Sequence, residues 1–288
     1  MGTRIQSKLN RLYYFPKHAA TALNQLLIDV SPTLIYAYEE GAVLALASLK
    51  TSRAPTCLVL HRFQGTILGS GYKNFSTVIR KIESWLALRA HADLYVMTDD
   101  GTLGDHALSY WNPSVAPQNL LFIRNGIDLS IRCNLVDRAN TLKKWSASED
   151  NPILLMVSRL AGWKRIDRGI DLVAKLIKHY PKTKLIVVGD GEYKDKLVNH
   201  AIKKGVAGRI CFTGSRPRAD VFSLMKSCDI FLSLYDISNC GNPLFEALMS
   251  GIPVITLNNG STSSVITDRE NGMLIEPDDR SGLFSAIL

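Results

Sequence analysis

The sequence predicts an α/β chain of two Rossmann-like domains, parallel sheets with helices on both faces, with the amino-terminal domain incomplete. Two observations carry this prediction. Short strand-like runs rich in Val, Ile and Leu alternate with helical stretches across short connections, plainly in the second half and less so in the first. A turn followed by a polar stretch then divides that alternation in two. At 288 residues the chain has room for two cores.

In chain order, the first half offers strands at 33–37, 56–60, 94–97 and 120–123 with helices between them. Its longest helical candidate, about 75–92, carries Trp85, Leu86 and Leu88 on its apolar side. Asn125-Gly126-Ile127-Asp128 marks a turn, and the polar stretch from Asp137 to Asn151 ends in Pro152. The expected division is an amino-terminal domain at 1–130, a linker at 131–151 and a second domain at 152–288. In that second domain the run Ile153–Val157 reads as a buried parallel strand. It is followed by a helix at 166–179, a strand at 184–188, a helix at 193–204 and a strand at 210–213. A helix at 219–227, a strand at 230–234, a helix at 243–249 and a strand at 253–257 complete the series. Both ends read as unfinished: no glycine-rich first loop precedes Arg11, and the sequence stops at Leu288 within a helical start.

Composition bounds the function class. No apolar run reaches the eighteen or so residues of a bilayer span, and the first residues lack a signal-peptide core, so the cytosol is the default compartment. The five cysteines, Cys57, Cys133, Cys211, Cys228 and Cys240, lack metal-ligand spacing and read as reduced, mostly core residues. The net charge of +8 is spread over both halves, +3 in residues 1–130 (12 Lys+Arg, 9 Asp+Glu) and +5 in 131–288 (22 and 17). No basic tail points to nucleic acid. Diffuse positive charge suits anionic small molecules, or peripheral contact with anionic headgroups at the inner face of a membrane; an ordinary solvated surface is the alternative.

The residues with chemical reason to act together begin at the end of the 153–157 strand. Open α/β sheets bind ligands beyond the carboxyl ends of their strands. There, Arg159 and Lys164 place a planar guanidinium and a compact ammonium in one loop, able to neutralise a diphosphate from two directions. Alone, two basic residues five apart read as exposed loop cations. Downstream, Asn239-Cys240-Gly241-Asn242-Pro243-Leu244 opens a helix: glycine permits close backbone approach, Pro243 suits the first helical turn, and the amides there attract phosphate. Glu246, about one turn in, can accept hydrogen bonds from two ribose hydroxyls, or merely complement the helix dipole.

These segments belong to an ordered set. It comprises Ser-Arg-Leu at 158–160 with Lys164, Val-Gly-Asp-Gly at 188–191, Phe-Thr-Gly at 212–214, Cys-Asp-Ile-Phe-Leu-Ser at 228–233, Pro-Leu-Phe-Glu-Ala-Leu-Met-Ser-Gly-Ile-Pro-Val-Ile at 243–255 and Asn-Gly-Met-Leu-Ile at 271–275. In this order they resemble the donor-binding domain of the retaining glycosyltransferases of family 4, which have the two-domain GT-B architecture. The resemblance covers about residues 55–288 and is strongest over 153–278. It implies a nucleotide-diphosphate sugar as donor substrate, with no cofactor or metal, and a glycan or lipid-linked acceptor. Arg159 and Lys164 then inherit the diphosphate and Glu246 the ribose. Backbone around Gly214, Ser215 and Arg216 flanks the base, and Gly241, Asn242, Pro243 and Leu244 meet phosphates and sugar. A strand such as 55–61 carries a histidine to the cleft in these enzymes, which marks His61 as a catalytic candidate; a satisfied structural histidine is the alternative. The family places a first glutamate eight before the second, where this chain has Ser238. Either Ser238 or Asn239 substitutes a neutral hydrogen bond, or Asp236 reaches in from a shifted loop.

Two other readings differ in class. A nicotinamide-binding dehydrogenase fails on its fingerprint, because Lys194 stands where the third glycine belongs after Gly189-Asp190-Gly191. A nucleotide-sugar-binding module without turnover stays open, favoured by Ser238 and by the unfinished ends.

Overall fold

The computed structural model describes residues 6–7, 10–49, 57–64, 71–128, 137–147 and 151–288. They form two compact units, Met1–Arg124 and Asn125–Leu288.

The first unit is built on a four-stranded parallel sheet of β1 (Leu34–Tyr38), β2 (Leu58–Phe63), β3 (Leu94–Thr98) and β4 (Leu120–Ile123), in spatial order β1-β2-β3-β4. Phe63, Leu88, Tyr95, Met97 and Leu108 are among the residues that close its core. The helix expected over 75–92 is two helices, Phe75–Arg80 and Ile82–Arg89, broken where Lys81 leaves helical geometry at φ −119°, ψ 41°. The restart rotates the buried face onto Ser84, Ala87 and Leu88, so Leu86 is exposed rather than apolar-side packing, and Trp85 is half-buried.

The second unit carries six parallel strands: β5 (Ile153–Val157), β6 (Lys184–Val188), β7 (Ile210–Gly214), β8 (Ile230–Ser233), β9 (Val254–Leu257) and β10 (Met273–Ile275). Leu154 and Met156 of β5 face one apolar cluster while Ile153 and Leu155 face another, so the strand is buried on both sides. The spatial order is β10-β9-β8-β5-β6-β7. The chain therefore builds outward from β5 to β7, returns, and builds outward again from β8 to β10. That reversal is a topological switch point between β5 and β8, where open α/β sheets leave a crevice at the carboxyl edge.

Residues 137–147, within the stretch read as a linker, hold the helix Arg138–Lys143, capped by the Asp137 carboxylate on the Asn140 amide. Its Leu142 is fully buried against the second unit's core. Arg138 donates to Asp229 (2.7 Å), whose other oxygen accepts from the Ile153 amide (2.8 Å), which ties this segment to the start of β5. One buried leucine among polar neighbours gives almost no periodic signal, so the helix is invisible to pattern reading. Cys57, Cys211, Cys228 and Cys240 are free thiols, Cys228 and Cys240 buried; Cys133 lies outside the described residues.

Candidate functional site

Arg159 is placed by close backbone packing. The Ser158 amide donates to Val188 O (3.0 Å), the Leu160 amide to Asp190 O (2.9 Å), and the Tyr193 amide to Leu160 O (3.0 Å). These bonds lay the loop after β5 directly on the loop after β6. Gly189 has φ +129°, and a methyl group there would fall on the Ser158 carbonyl oxygen; at Gly191 (φ +158°) it would lie 2.5 Å from Leu160 O. The Val-Gly-Asp-Gly segment thus works by letting two backbones touch. Ser158 and Leu160 are buried and Arg159 between them is exposed, projecting at the carboxyl end of β5.

Lys164 ends the short 3-10 turn Gly162–Lys164. Its Nζ lies 4.0 Å from the centroid of the Trp163 ring and 3.7 Å from that of Tyr235. The two rings meet edge to face at 6.0 Å. Tyr235 is buried and donates its hydroxyl to Val157 O (2.9 Å). Burial pushes its phenol up to about 12, so it stays neutral at any physiological pH.

The loop after β8, on the other side of the switch point, is held from within. Asn239 is 0% exposed; its Oδ1 accepts from Ser233 Oγ (2.8 Å) and the Tyr235 amide (3.0 Å), and its Nδ2 donates to Asn259 Oδ1 (2.6 Å). Asn259 Nδ2 in turn donates to Tyr235 O (2.7 Å). Ser238 is 8% exposed, and its hydroxyl oxygen accepts from the Cys240 amide (3.2 Å). Asp236 is gripped by Arg165 Nη1 and Arg168 Nη2, both at 2.9 Å. Arg168 also donates to Leu234 O (2.7 Å), and Arg165 pairs with Asp167. The Asn239 amide holds its own loop together, and Asp236 is anchored to two arginines.

Helix Asn242–Ser250 starts at this loop. Fewer amides are available there than the sequence suggested: the Gly241 amide donates to Asn239 O (2.8 Å), the Leu244 amide to Gly241 O (3.0 Å), and Pro243 has none. The Asn242 amide is the one left at the tip among the described residues, while Asn242 Oδ1 accepts from Asn125 (3.0 Å). Leu244 is core. Glu246 is 9% exposed, and its Oε1 accepts from Arg218 Nε (3.1 Å) and Nη2 (3.0 Å). Arg218 also lies 3.9 Å from Asp128.

At the end of β7, Gly214 takes φ +73° and its carbonyl accepts from the Gly189 amide (3.0 Å). Ser215 and Arg216 are exposed, the Arg216 guanidinium resting 4.7 Å from the Trp145 ring centroid. The switch-point loops thus bring Arg159 and Lys164 from one strand, and Ser238 to Glu246 from the next, to one edge of one sheet. Sequence reading missed Trp163, Tyr235 and Arg218. A tryptophan next to Lys164 was the available hint; the tyrosine and arginine reach their partners only through the fold.

His61 lies within β2, not after it, and belongs to the first unit. Its ring is 1% exposed, edge-on to Tyr95 (5.7 Å) and Phe63 (6.4 Å), and neither nitrogen has a hydrogen-bond partner among the described residues. Burial, with a smaller push from His91, lowers its pKa to about 4. With the folded value below the ordinary one near 6.5, its contribution to stability is whole above pH 6.5 and is lost as pH falls from there through 4. The loss amounts to about 3 kcal/mol. Melting curves between pH 7 and 4 should therefore fall more steeply for the native protein than for His61→Leu; parallel profiles would remove this account.

The model of the family described as glycosyl transferases group 1 matches residues 137–287, just over half of the chain and nearly all of the second unit. The chain belongs to that family. This group 1 glycosyl transferase is 24% identical over 231 residues to a glycogen synthase of Mycobacterium tuberculosis, covering 78% of this chain and 50% of that protein. It is 30% identical over 152 residues to LpsE, a lipopolysaccharide core biosynthesis glycosyltransferase of Rhizobium meliloti, covering 53% and 42%. The chain spans about half the length of these curated relatives. Among solved structures, Anabaena Alr3699/HepE in complex with UDP-glucose superposes with a TM-score of 0.76 at 22% identity, over 93% of this chain and 71% of that one. The chain shares its α/β fold of two parallel sheets flanked by helices, the GT-B type.

Proposed function

We propose that this protein takes a hexose from a nucleoside-diphosphate sugar and transfers it, with retention of anomeric configuration, to a hydroxyl of a glycan or lipid-linked acceptor in cell-surface polysaccharide synthesis. The observation that carries the reading is that Arg159 and Lys164 lie on the loop after β5 and Glu246 in the helix that follows the loop after β8, on the two sides of the switch point. The UDP-glucose complex of Alr3699/HepE and the glycan-building relatives support it. In this scheme Arg159 and Lys164 meet the charge that develops on the departing diphosphate, with the Asn242 amide adding a fixed dipole, and no step requires a metal. As the bond from the anomeric carbon to the diphosphate oxygen breaks, the acceptor oxygen bonds to that carbon from the same face. A diphosphate oxygen takes the acceptor's proton, so no protein base acts. Glu246 holds the ribose, and backbone at 214–216 flanks the base.

No helix among the described residues is long and apolar enough to cross a membrane. Tyr13, Tyr14 and Phe15 are nevertheless exposed, and no acidic residue precedes Asp29, which supports peripheral contact of this segment with an anionic bilayer.

A second reading, binding without turnover, is favoured by Ser238, whose hydroxyl is held by a backbone amide where the family has a carboxylate. Incubation with labelled UDP-, GDP- and ADP-sugars separates the two: transfer or slow donor hydrolysis supports the enzyme, binding with neither supports the module, and no binding to any of them overturns both. Glu246→Gln should weaken nucleosides as well as nucleoside diphosphates, by roughly tenfold, since a neutral hydrogen bond about 1–1.5 kcal/mol weaker replaces a charge-assisted one. An effect confined to diphosphates would contradict the ribose assignment.

A further inference from the structure

We infer that Trp163 and Tyr235 are positioning residues for Lys164, an aromatic seat that fixes the ammonium on the diphosphate side of the switch point. The inference rests on the proposed diphosphate role of Lys164 and extends it to residues to which nothing yet gives a part. A lysine ammonium ends a four-carbon stem with many rotamers, so a loop lysine is ordinarily a diffuse charge. Here Nζ lies within 4.0 Å of one ring centroid and 3.7 Å of another, well inside the range in which a ring's quadrupole attracts a cation. The rings come from opposite sides of the switch point, Trp163 from the loop after β5 and Tyr235 from the loop after β8.

The second ring is itself built in. Tyr235 is locked at its hydroxyl by Val157 O, at its amide by Asn239 Oδ1 and at its carbonyl by Asn259 Nδ2. The Asp236 amide donates to Trp163 O (3.0 Å), and Asp236 draws in Arg165 and Arg168 from the Trp163 side. These contacts share one result: two loops 70 residues apart in sequence are tied so that their aromatic side chains converge on one ammonium. Asn239 acquires a role as the clamp on Tyr235. Fixing the ammonium before the diphosphate arrives removes an ordering cost from binding.

Two measurements test this, one of them free of any ligand. In the native protein the Lys164 ε-methylene protons should resonate upfield of the other lysines, because they lie over two ring faces. The signal is assigned by its loss in Lys164→Arg. Trp163→Leu should return it toward the ordinary position, and Tyr235→Phe, which keeps the ring, should leave it upfield. An unshifted Lys164 signal in the native protein overturns the seat outright.

The second measurement titrates UDP, GDP and ADP calorimetrically. Trp163→Leu should weaken the tightest of them roughly 3- to 30-fold, and have no effect in a Lys164→Ala background. Tyr235→Phe, which keeps the ring but loses the hydroxyl bond to Val157 O, should weaken binding less than Trp163→Leu does. If Lys164→Ala leaves affinity unchanged, or if none of the three binds, the diphosphate reading fails while the resonance test of the seat still stands. If Lys164→Ala weakens binding but Trp163→Leu does not, or does so equally without Lys164, the positioning role fails alone.

Discussion

Arg159→Ala combined with Lys164→Ala is expected to weaken nucleoside-diphosphate binding by roughly two to four orders of magnitude. In the proposed site each cation makes charge-assisted hydrogen bonds to phosphate oxygens, worth about 1.5–3 kcal/mol, and about 1.4 kcal/mol is a factor of ten. Single substitutions should each cost one to two orders. The two need not add in full, since both address one diphosphate and the remaining cation can shift toward it. Because Arg159 is exposed on a loop whose backbone bonds do not depend on its side chain, the substitution leaves the fold intact. Calorimetry with UDP, GDP and ADP gives the affinities, and the corresponding nucleosides serve as controls that should barely change. Native affinity in both single variants would end the diphosphate assignment.

The second large effect concerns a residue that touches no ligand. Gly189→Ala should destabilise the second unit by roughly 2–6 kcal/mol, the sum of backbone strain and overpacking of about 1–3 kcal/mol each. The cause is local and double: φ is +129°, and the added methyl would occupy the position of the Ser158 carbonyl oxygen. Backbone cannot swing aside as a side chain can. Relief requires lifting the loop after β5 off the loop after β6, which breaks the Ser158–Val188 and Leu160–Asp190 bonds and releases Arg159. The melting temperature should drop on the order of 10 °C, and diphosphate affinity should fall with it even well below the transition. Gly208→Ala, at a glycine with open space around its Cβ position, should be near neutral. Equal melting of both variants would refute the close-approach explanation.

Where strands are buried on both faces, local sequence is nearly sufficient. The runs 153–157 and 184–188 coincide with β5 and β6 because near-continuous apolar residues have no other stable place. β10, three residues long, is too short for any period to show, although its residues stood in the Asn-Gly-Met-Leu-Ile motif. The break at Lys81 carries no glycine or proline to announce it. At the site, the cations were legible because their distance from a strand end is a local quantity. The fates of Asp236, Asn239 and Tyr235 were not: they are decided by partners at 165, 168, 259 and 157, which only the folded chain brings near. His61 shows the converse limit, since a strand residue's inward or outward direction turns on a register that the flanking sequence leaves ambiguous.

The hydroxyl of Ser238 under the Cys240 amide also sets how this loop would answer a change of side chain. Position 238 is 8% exposed, and its neighbour Asn239 is knotted to Ser233, Tyr235 and Asn259. A glutamate there would take away the hydroxyl that the Cys240 amide uses and set a longer, charged side chain beside the knot that presents Tyr235. A carboxylate at 238 is therefore expected to disturb the seat of Lys164 as well as its own position.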